Sequence, residues 1–204
     1  MSFYLFKEDI LYHQCFLKAN HYDTGKLDGI WGPKTDAAHL DFLQDSIAIR
    51  NTHGWFDMRS EQNILTLAPP AQVLARKCLR LLQEDGNDVR IISGTRTYAE
   101  QNALYRRGRY GNPGPRVTNA RGGQSNHNFG TAWDIGLFVN GKYSTADKAY
   151  IKLSSLVRHR LPELEWGGNW QSFPDYPHYQ LRSMVTSVAQ LRQLFEKGEA
   201  YVSV

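Results

Sequence analysis

Residues 132–143 read AWDIGLFVNGKY. The first eight alternate like a strand with two different faces, and Asn140-Gly141 supplies a two-residue hairpin turn. Any fold for this chain must therefore accommodate an antiparallel strand pair here. Trp133, Ile135 and Leu137 share one face, and Asp134, Gly136 and Phe138 share the other, because side chains alternate along a strand. Asp134 is thus a carboxylate set in an apolar strand. A carboxylate buried without partners is costly, so this position calls for a cation or several hydrogen-bond donors.

Helical patterns surround the strand. Residues 8–18 predict a short helix, with Ile10, Leu11, Cys15 and Leu17 among its apolar positions. DGIWGP at 28–33 reads as a glycine-punctuated turn, and Pro33 opens a second helix running to about Ile49. Residues 51–63 lose periodicity and read as a linker. Behind Pro69 and Pro70, apolar residues at 71, 74, 75, 78, 81 and 82 make one helical stripe. VRIIS at 89–93 is a short buried strand. Thr97 and Glu100 have the capping-box spacing, so a helix starts at Thr97. Residues 108–126 form a long Gly-, Pro- and Arg-rich loop of the kind that often carries function. Residues 146–161 give an amphipathic helix stopped by Pro162, and a last helix covers about 184–197 with Gly198 behind it. The order lacks βαβ regularity. The expected fold class is α+β, a small and largely antiparallel sheet flanked by helices, plus a small all-α N-terminal module. The expected organisation is a helical module at 1–50, a linker at 51–63 and a catalytic domain at 64–204.

The 204 residues suffice for that plan. Lys and Arg exceed Asp and Glu, 24 against 20. This mild basicity favours an anionic partner without choosing between a cell-wall polymer and nucleic acid. The 5 Trp, 11 Tyr and 9 Phe supply core, and also flat surfaces for sugars or peptides. Cys15 and Cys78 are far apart and outside any CxxC pair, which argues against a disulfide framework and a Cys-based zinc knuckle. Cys78, on an apolar helix face, is expected to be a buried free thiol. MSFYLFKEDILYHQ has no basic start followed by a long apolar run, and no stretch approaches the ~18 apolar residues of a membrane span. The expectation is synthesis in the cytoplasm without a signal peptide, and no stable membrane insertion.

His127 stands seven residues before Asp134, in SNHNFGTAWD. A catalytic zinc site takes three N, O or S ligands and keeps one position open. His127 and Asp134 could supply two of these from the ends of one loop–strand element, with Gly130 and Ala132 small enough to allow close approach. His178, in PDYPHYQL, is the best candidate for a third, its backbone restrained by Pro177. Asp175, three residues earlier, could accept a proton. Taken singly these residues have plainer explanations: His127 as a hydrogen-bonded loop histidine, Asp175 as a solvated turn residue. Glu163 and Glu165 compete as bases, with the surface of a turn as their plainer role. Arg96 lies between the VRIIS strand and the helix at Thr97, where a guanidinium makes a positive spot for a carbonyl oxyanion. Pairing with Glu100 explains it equally well.

Taken together, S-x-H-x-x-G-x-A-x-D at Ser125, His127, Gly130, Ala132 and Asp134, followed by Asp175-x-x-His178, resembles the zinc D-Ala-D-Ala carboxypeptidase and L-alanyl-D-glutamate endopeptidase family. Within it the chain is most similar to phage endolysins that cut L-Ala-D-Glu bonds in peptidoglycan stems. The likeness runs from about Asn63 to Leu181 and takes in IISGTRTYAEQNALYRRGR and VTNARGGQSNHN. It implies that His127, Asp134 and His178 bind Zn²⁺. It implies that Asp175 is the general base, which activates the attacking water and passes the proton to the leaving amine. It further implies that Arg96 steadies the developing oxyanion and that Ser125 lies near the substrate. Many D-Ala-D-Ala enzymes of the family carry Glu-x-x-His where this chain has Asp-x-x-His, as the L-Ala-D-Glu endolysins do.

LDGIWGPKTDAAHLDFLQ resembles, in its D-G-x-x-G-P-x-T core, the small three-helix peptidoglycan-binding domain, over about residues 8–45. That implies contacts from Tyr22 and Trp31 to glycan faces. Trp31 as the plug of a tiny core accounts for the residue as well. The resulting expectation is a monomeric, zinc-dependent, bacteriolytic endolysin that cleaves the L-Ala-D-Glu bond of bacterial peptidoglycan and reaches the wall through a holin-type lesion or a secretion machine. A D-Ala-D-Ala carboxypeptidase, an antibacterial secreted effector with the same chemistry and a non-catalytic wall-binding protein are the alternatives. Nucleic acid is not expected as a partner, because the arginines of RTYAEQNALYRRGRYG are better explained by a loop beside an anionic substrate.

Overall fold

Strand formation at 132–139 and the turn behind it follow the sequence pattern in the computed structural model, which describes residues 6–182, 185 and 187–202. Asn140 and Gly141 take φ of 50° and 74°, the left-handed pair that an Asn-Gly hairpin turn requires. In chain order the elements are α1 (Lys7–Ala19), α2 (Pro33–His53), α3 (Met58–Ile64), α4 (Pro69–Glu84), β1 (Asp88–Ser93), α5 (Tyr98–Arg106), β2 (Ala132–Val139), β3 (Lys142–Tyr143), α6 (Asp147–Arg160), β4 (Leu164–Trp166), β5 (His178–Leu181) and α7 (Val188–Lys197). The sheet runs β1-β2-β5-β4, with β3 paired to β2, and every pairing is antiparallel. The fold is α+β. Among the described residues no helix is long and apolar enough to cross a membrane.

Packing divides the chain into two compact units, Met1–Asp45 with Arg96–Gly130 and Ser183–Val204, and Ser46–Thr95 with Thr131–Arg182. The sheet belongs to the second. There α4 packs on β1 and on α6, and α6 packs on β4. Val89, Ile91, Trp133, Ile135 and Tyr179 are buried, as is Cys78, a free thiol. Each such aliphatic side chain contributes about 1.5–3 kcal/mol by leaving water. Trp133, Ile135 and Leu137 are all buried, and Asp134 and Phe138 on the opposite face are partly open.

Residues 51–63 hold more structure than their lack of periodicity suggests. Helix α2 extends through His53, past the expected end near Ile49, and α3 follows. Two long-range interactions order α3. Ser60 Oγ accepts the Ile91 N–H (2.9 Å) and Asn63 Nδ2 donates to the Ile91 carbonyl (3.1 Å), so α3 covers the open edge of β1. Arg76, fully buried in α4, grips both oxygens of Glu61 at 2.8 Å.

The first unit is built on aromatic packing. Helix α1 packs on α7, and Tyr12, Tyr98, Phe129, Phe195 and Tyr201 form one cluster with ring separations of 5.1 to 6.4 Å. Helix α5 begins with the expected capping box: Thr97 Oγ1 accepts the Glu100 N–H, and Glu100 accepts the Thr97 N–H (2.7 Å). Helix α7 is capped by Ser187, whose Oγ accepts the Gln190 N–H, and closes at Gly198 (φ 67°). The expected start of this helix at residue 184 lies outside the described residues.

Candidate metal centre

His127 occupies a short 3-10 turn, Asn126–Phe129, that ends at Gly130 with φ of 71°, a backbone position suited to glycine. The turn is fastened by its neighbours. Tyr12 Oη donates to the Asn128 carbonyl (2.6 Å), Tyr201 Oη donates to the Phe129 carbonyl (2.6 Å), and the His127 carbonyl accepts the Arg96 N–H (2.9 Å). Asp134 reaches the same place from β2. His178 sits directly opposite it, since Asp134 and His178 are register partners on β2 and β5. One ligand atom from each of His127, Asp134 and His178 lies within 4.8 Å of the others, and this is the one such group among the described residues. His127 and His178 are buried and Asp134 is half-buried.

The donor set fits zinc. Two imidazoles and a carboxylate are ordinary zinc ligands, and bonds of about 2.0–2.2 Å at tetrahedral angles put ligand atoms about 3.3–3.6 Å apart. His178 Nδ1 lies 3.2 Å from Asp134 Oδ1, close to such an edge. The field around His178 also suits a cation. Burial pulls its pKa down, but the hydrogen bond and charge of Asp134, then Gln180, then the charge of Asp175, push it up further, and it ends raised above the usual value.

Asp175 sits on the turn that delivers His178. Its N–H donates to the Gly167 carbonyl (3.0 Å) and its carbonyl accepts the His178 N–H (3.2 Å). The carboxylate is half-buried, and its charge is felt at His178. Burial, a hydrogen bond to Tyr150 and then the charges of Tyr150, Asp134 and Asp175 likewise raise the Tyr143 phenol. Gly167 makes the turn possible: a Cβ there would stand 2.7 Å from the Asp175 carbonyl oxygen and 2.9 Å from His178 Cβ. Arg96 is half-buried at the entry to α5, and its carbonyl accepts Asn128 Nδ2 (2.8 Å). Glu100 is engaged by the Thr97 N–H and by Thr97 Oγ1 (3.0 Å) in the cap. Ser125 is half-buried immediately before the His127 turn, with its N–H on Asn128 Oδ1 (3.3 Å). Of the rival bases, Glu163 is exposed, while Glu165 lies in β4 with its carboxylate accepting from Trp170 Nε1 (3.1 Å) and Gln180 Nε2 (3.2 Å).

Residues 118–181, which hold His127, Asp134, Asp175 and His178, match the D-alanyl-D-alanine carboxypeptidase family. The chain is 38% identical over 151 residues to the peptidoglycan L-alanyl-D-glutamate endopeptidase CwlK of Bacillus subtilis (strain 168), across 69% of this chain and 90% of that protein. This chain belongs to that zinc peptidase family. The crystal structure of the L-Ala D-Glu endopeptidase ChiX of Serratia marcescens is similar to 62% of this chain and 89% of its own, with 27% identity and a TM-score of 0.50.

Inspection of the sequence missed several residues that shape the candidate site. Asn128 is fully buried, and its Oδ1 accepts the N–H groups of Gly123 (2.9 Å) and Ser125 while its Nδ2 holds Arg96. The signal was there, in a polar side chain between His127 and Phe129, but its partners are remote. Gln180 Oε1 meets His178 Nε2 at 2.9 Å, and the Trp170 ring lies 4.8 Å from the His178 ring. Both stand in stretches, EWGGNW and HYQL, that offered no periodicity to read.

Proposed function

We propose that this peptidase hydrolyses the L-Ala-D-Glu bond of peptidoglycan stem peptides, using one zinc ion held by His127, Asp134 and His178. The convergence of those three ligand atoms within 4.8 Å carries the reading. The names of CwlK and ChiX, both L-alanyl-D-glutamate endopeptidases, favour that bond over the terminal D-Ala-D-Ala linkage. Bound zinc supplies a Lewis acid and a water made acidic enough to ionise near neutral pH. Asp175, on the turn that delivers His178, takes the proton from the attacking water and returns it to the leaving amine. Arg96, at the N-terminal end of α5, draws the negative charge that builds on the carbonyl oxygen. Ser125, two residues before His127, borders the substrate.

The biological setting is a further part of the proposal. The peptidase acts as a monomeric, bacteriolytic endolysin whose N-terminal helices hold it on peptidoglycan, and it reaches the wall after release by a holin-type lesion or a secretion machine. Holding the enzyme on its polymer raises the local substrate concentration. Digestion of purified wall, with and without chelator, tests the chemistry by mass spectrometry of the released peptides. New N-terminal D-Glu that disappears with chelator is the expected result. Loss of terminal D-Ala alone would transfer the activity to the carboxypeptidase class, and wall retention with no product in added zinc would reduce the protein to a binding module.

A further inference from the structure

Sheet register brings four polar side chains to one face. Asp134 on β2 pairs with His178 on β5, and Glu165 on β4 pairs with Gln180 on β5. His178 and Gln180 are two residues apart on one strand and so point the same way. The result is a line of contacts across three strands: Asp134 Oδ1 to His178 Nδ1 (3.2 Å), His178 Nε2 to Gln180 Oε1 (2.9 Å), Gln180 Nε2 to Glu165 Oε2 (3.2 Å), and Glu165 Oε1 to Trp170 Nε1 (3.1 Å).

The donor and acceptor character of these groups gives the line a direction. An indole N–H only donates, and a carboxylate only accepts. Glu165 therefore faces Trp170 and Gln180 as an acceptor, and the group of Gln180 turned toward it must be the NH₂. The amide oxygen is left for His178, which must meet it with a proton on Nε2. The lone pair of the imidazole then falls on Nδ1, the atom beside Asp134. Rotating the Gln180 amide would set its oxygen against the Glu165 carboxylate and its NH₂ against Nε2. That would move the ring proton to Nδ1, where a ligand lone pair is needed. A single imidazole presents its lone pair on one nitrogen only when a partner claims the proton of the other.

We propose that Trp170, Glu165 and Gln180 form a directional hydrogen-bond chain that selects the His178 tautomer with its lone pair on Nδ1. Gln180 and Glu165 are positioning residues of the zinc centre, acting through His178. This rests on the zinc reading above, and the test separates the two. Zinc affinity of the full chain is measured by competition with a chromophoric chelator, and the ring tautomer of His178 by proton–nitrogen correlation in the zinc-loaded protein. The expected spectrum shows the proton on Nε2. Gln180→Leu lowers zinc affinity roughly 10–100-fold, the usual effect of removing a partner behind a ligand histidine. Glu165→Gln, which lets the amide face either way, lowers it less. The double exchange Glu165→Gln with Gln180→Glu keeps Trp170 and His178 Nε2 as donors and reverses only the bond between residues 165 and 180, since the new amide donates to the new carboxylate and accepts from Trp170. It restores affinity to near that of the parent, which also shows that losses in the single variants are not unfolding. Parent-like zinc affinity in Gln180→Leu, a proton on Nδ1, or a double exchange no better than the worse single variant would overturn the chain while leaving zinc binding intact. A parent protein that binds no zinc would overturn both.

Discussion

His178 and His13 are both buried histidines with a ring nitrogen close to another titratable group, 3.2 Å to Asp134 in one case and 3.1 Å to His39 in the other. Their surroundings drive them in opposite directions. His178 faces a carboxylate and an amide oxygen, and its pKa is raised even though burial works against it. His13 is stacked on Trp31 with ring centroids 5.7 Å apart, and burial, then the charge of His39, lower its pKa to about 3. Burial alone therefore marks neither a ligand nor a core residue. The atoms in front of the ring decide: acceptors favour a cation there, whereas an aromatic face and a second imidazole hold the ring neutral.

The contrast is broken or sharpened first at the ligands. His178→Ala should lose bound zinc and reduce peptide release to background, while His13→Ala should keep its zinc, as metal analysis of the purified variants will show. Equal zinc content in the two variants would erase the distinction. The next effect in size belongs to Asp175. Asp175→Ala should retain zinc yet lose about 10²–10⁴-fold in turnover, the usual worth of a positioned general base. An active Asp175→Ala enzyme would move that role to another carboxylate. Glu163 is then the better choice, because Glu165 is tied to Trp170 and Gln180.

The third effect is one of stability against pH. The folded pKa of His13 lies below the unfolded value near 6.5, so as pH falls the unfolded chain takes up the proton first. The stabilisation is complete above about pH 6.5 and declines steadily toward pH 3, with roughly 2 kcal/mol gone by pH 5 at ~1.4 kcal/mol per unit. His13→Phe should flatten this dependence, read as the change in urea midpoint between pH 7 and pH 5. An unchanged slope would mean that His13 is protonated in the folded chain. The smallest effect concerns Trp31. Trp31→Phe removes the Nε1–H bond to Asp36 (3.1 Å) and keeps a ring over His13. The expected loss of stability is about 0.5–1 kcal/mol. A loss of wall retention larger than the loss of stability would give Trp31 a glycan contact; unchanged retention would leave it as the cover of His13.

The parts of this molecule that were legible in its sequence are those with local signals. The β2–β3 hairpin is written in an alternation and an Asn-Gly pair, α5 in the Thr97–Glu100 spacing, and α4 in a regular apolar stripe. The proposed metal-binding group was legible because Asp134 breaks an apolar strand and needs a reason to be there. Other features depend on partners distant in the chain. Helix α3 has seven residues, too few to show a period, and is held by Arg76 and by the edge of β1. Strands β4 and β5 have three and four residues, and their pairing alone puts Glu165 beside Gln180. Asn128 matters through contacts to Arg96 and Tyr12, 32 and 116 positions away.

Tyr12 carries a practical consequence for anyone recombining enzymes of this kind. Its hydroxyl holds the carbonyl next to His127, and its ring lies 5.5 Å from Tyr98 and 5.1 Å from Phe195. A helix that looks like part of a detachable anchor is one wall of the mould in which a proposed zinc ligand sets. A chimera spliced after α2 would discard that wall, whereas one spliced ahead of Lys7 would keep it. Swapping N-terminal segments between peptidases of this family should therefore begin by asking which side chains of the donor segment are already spoken for.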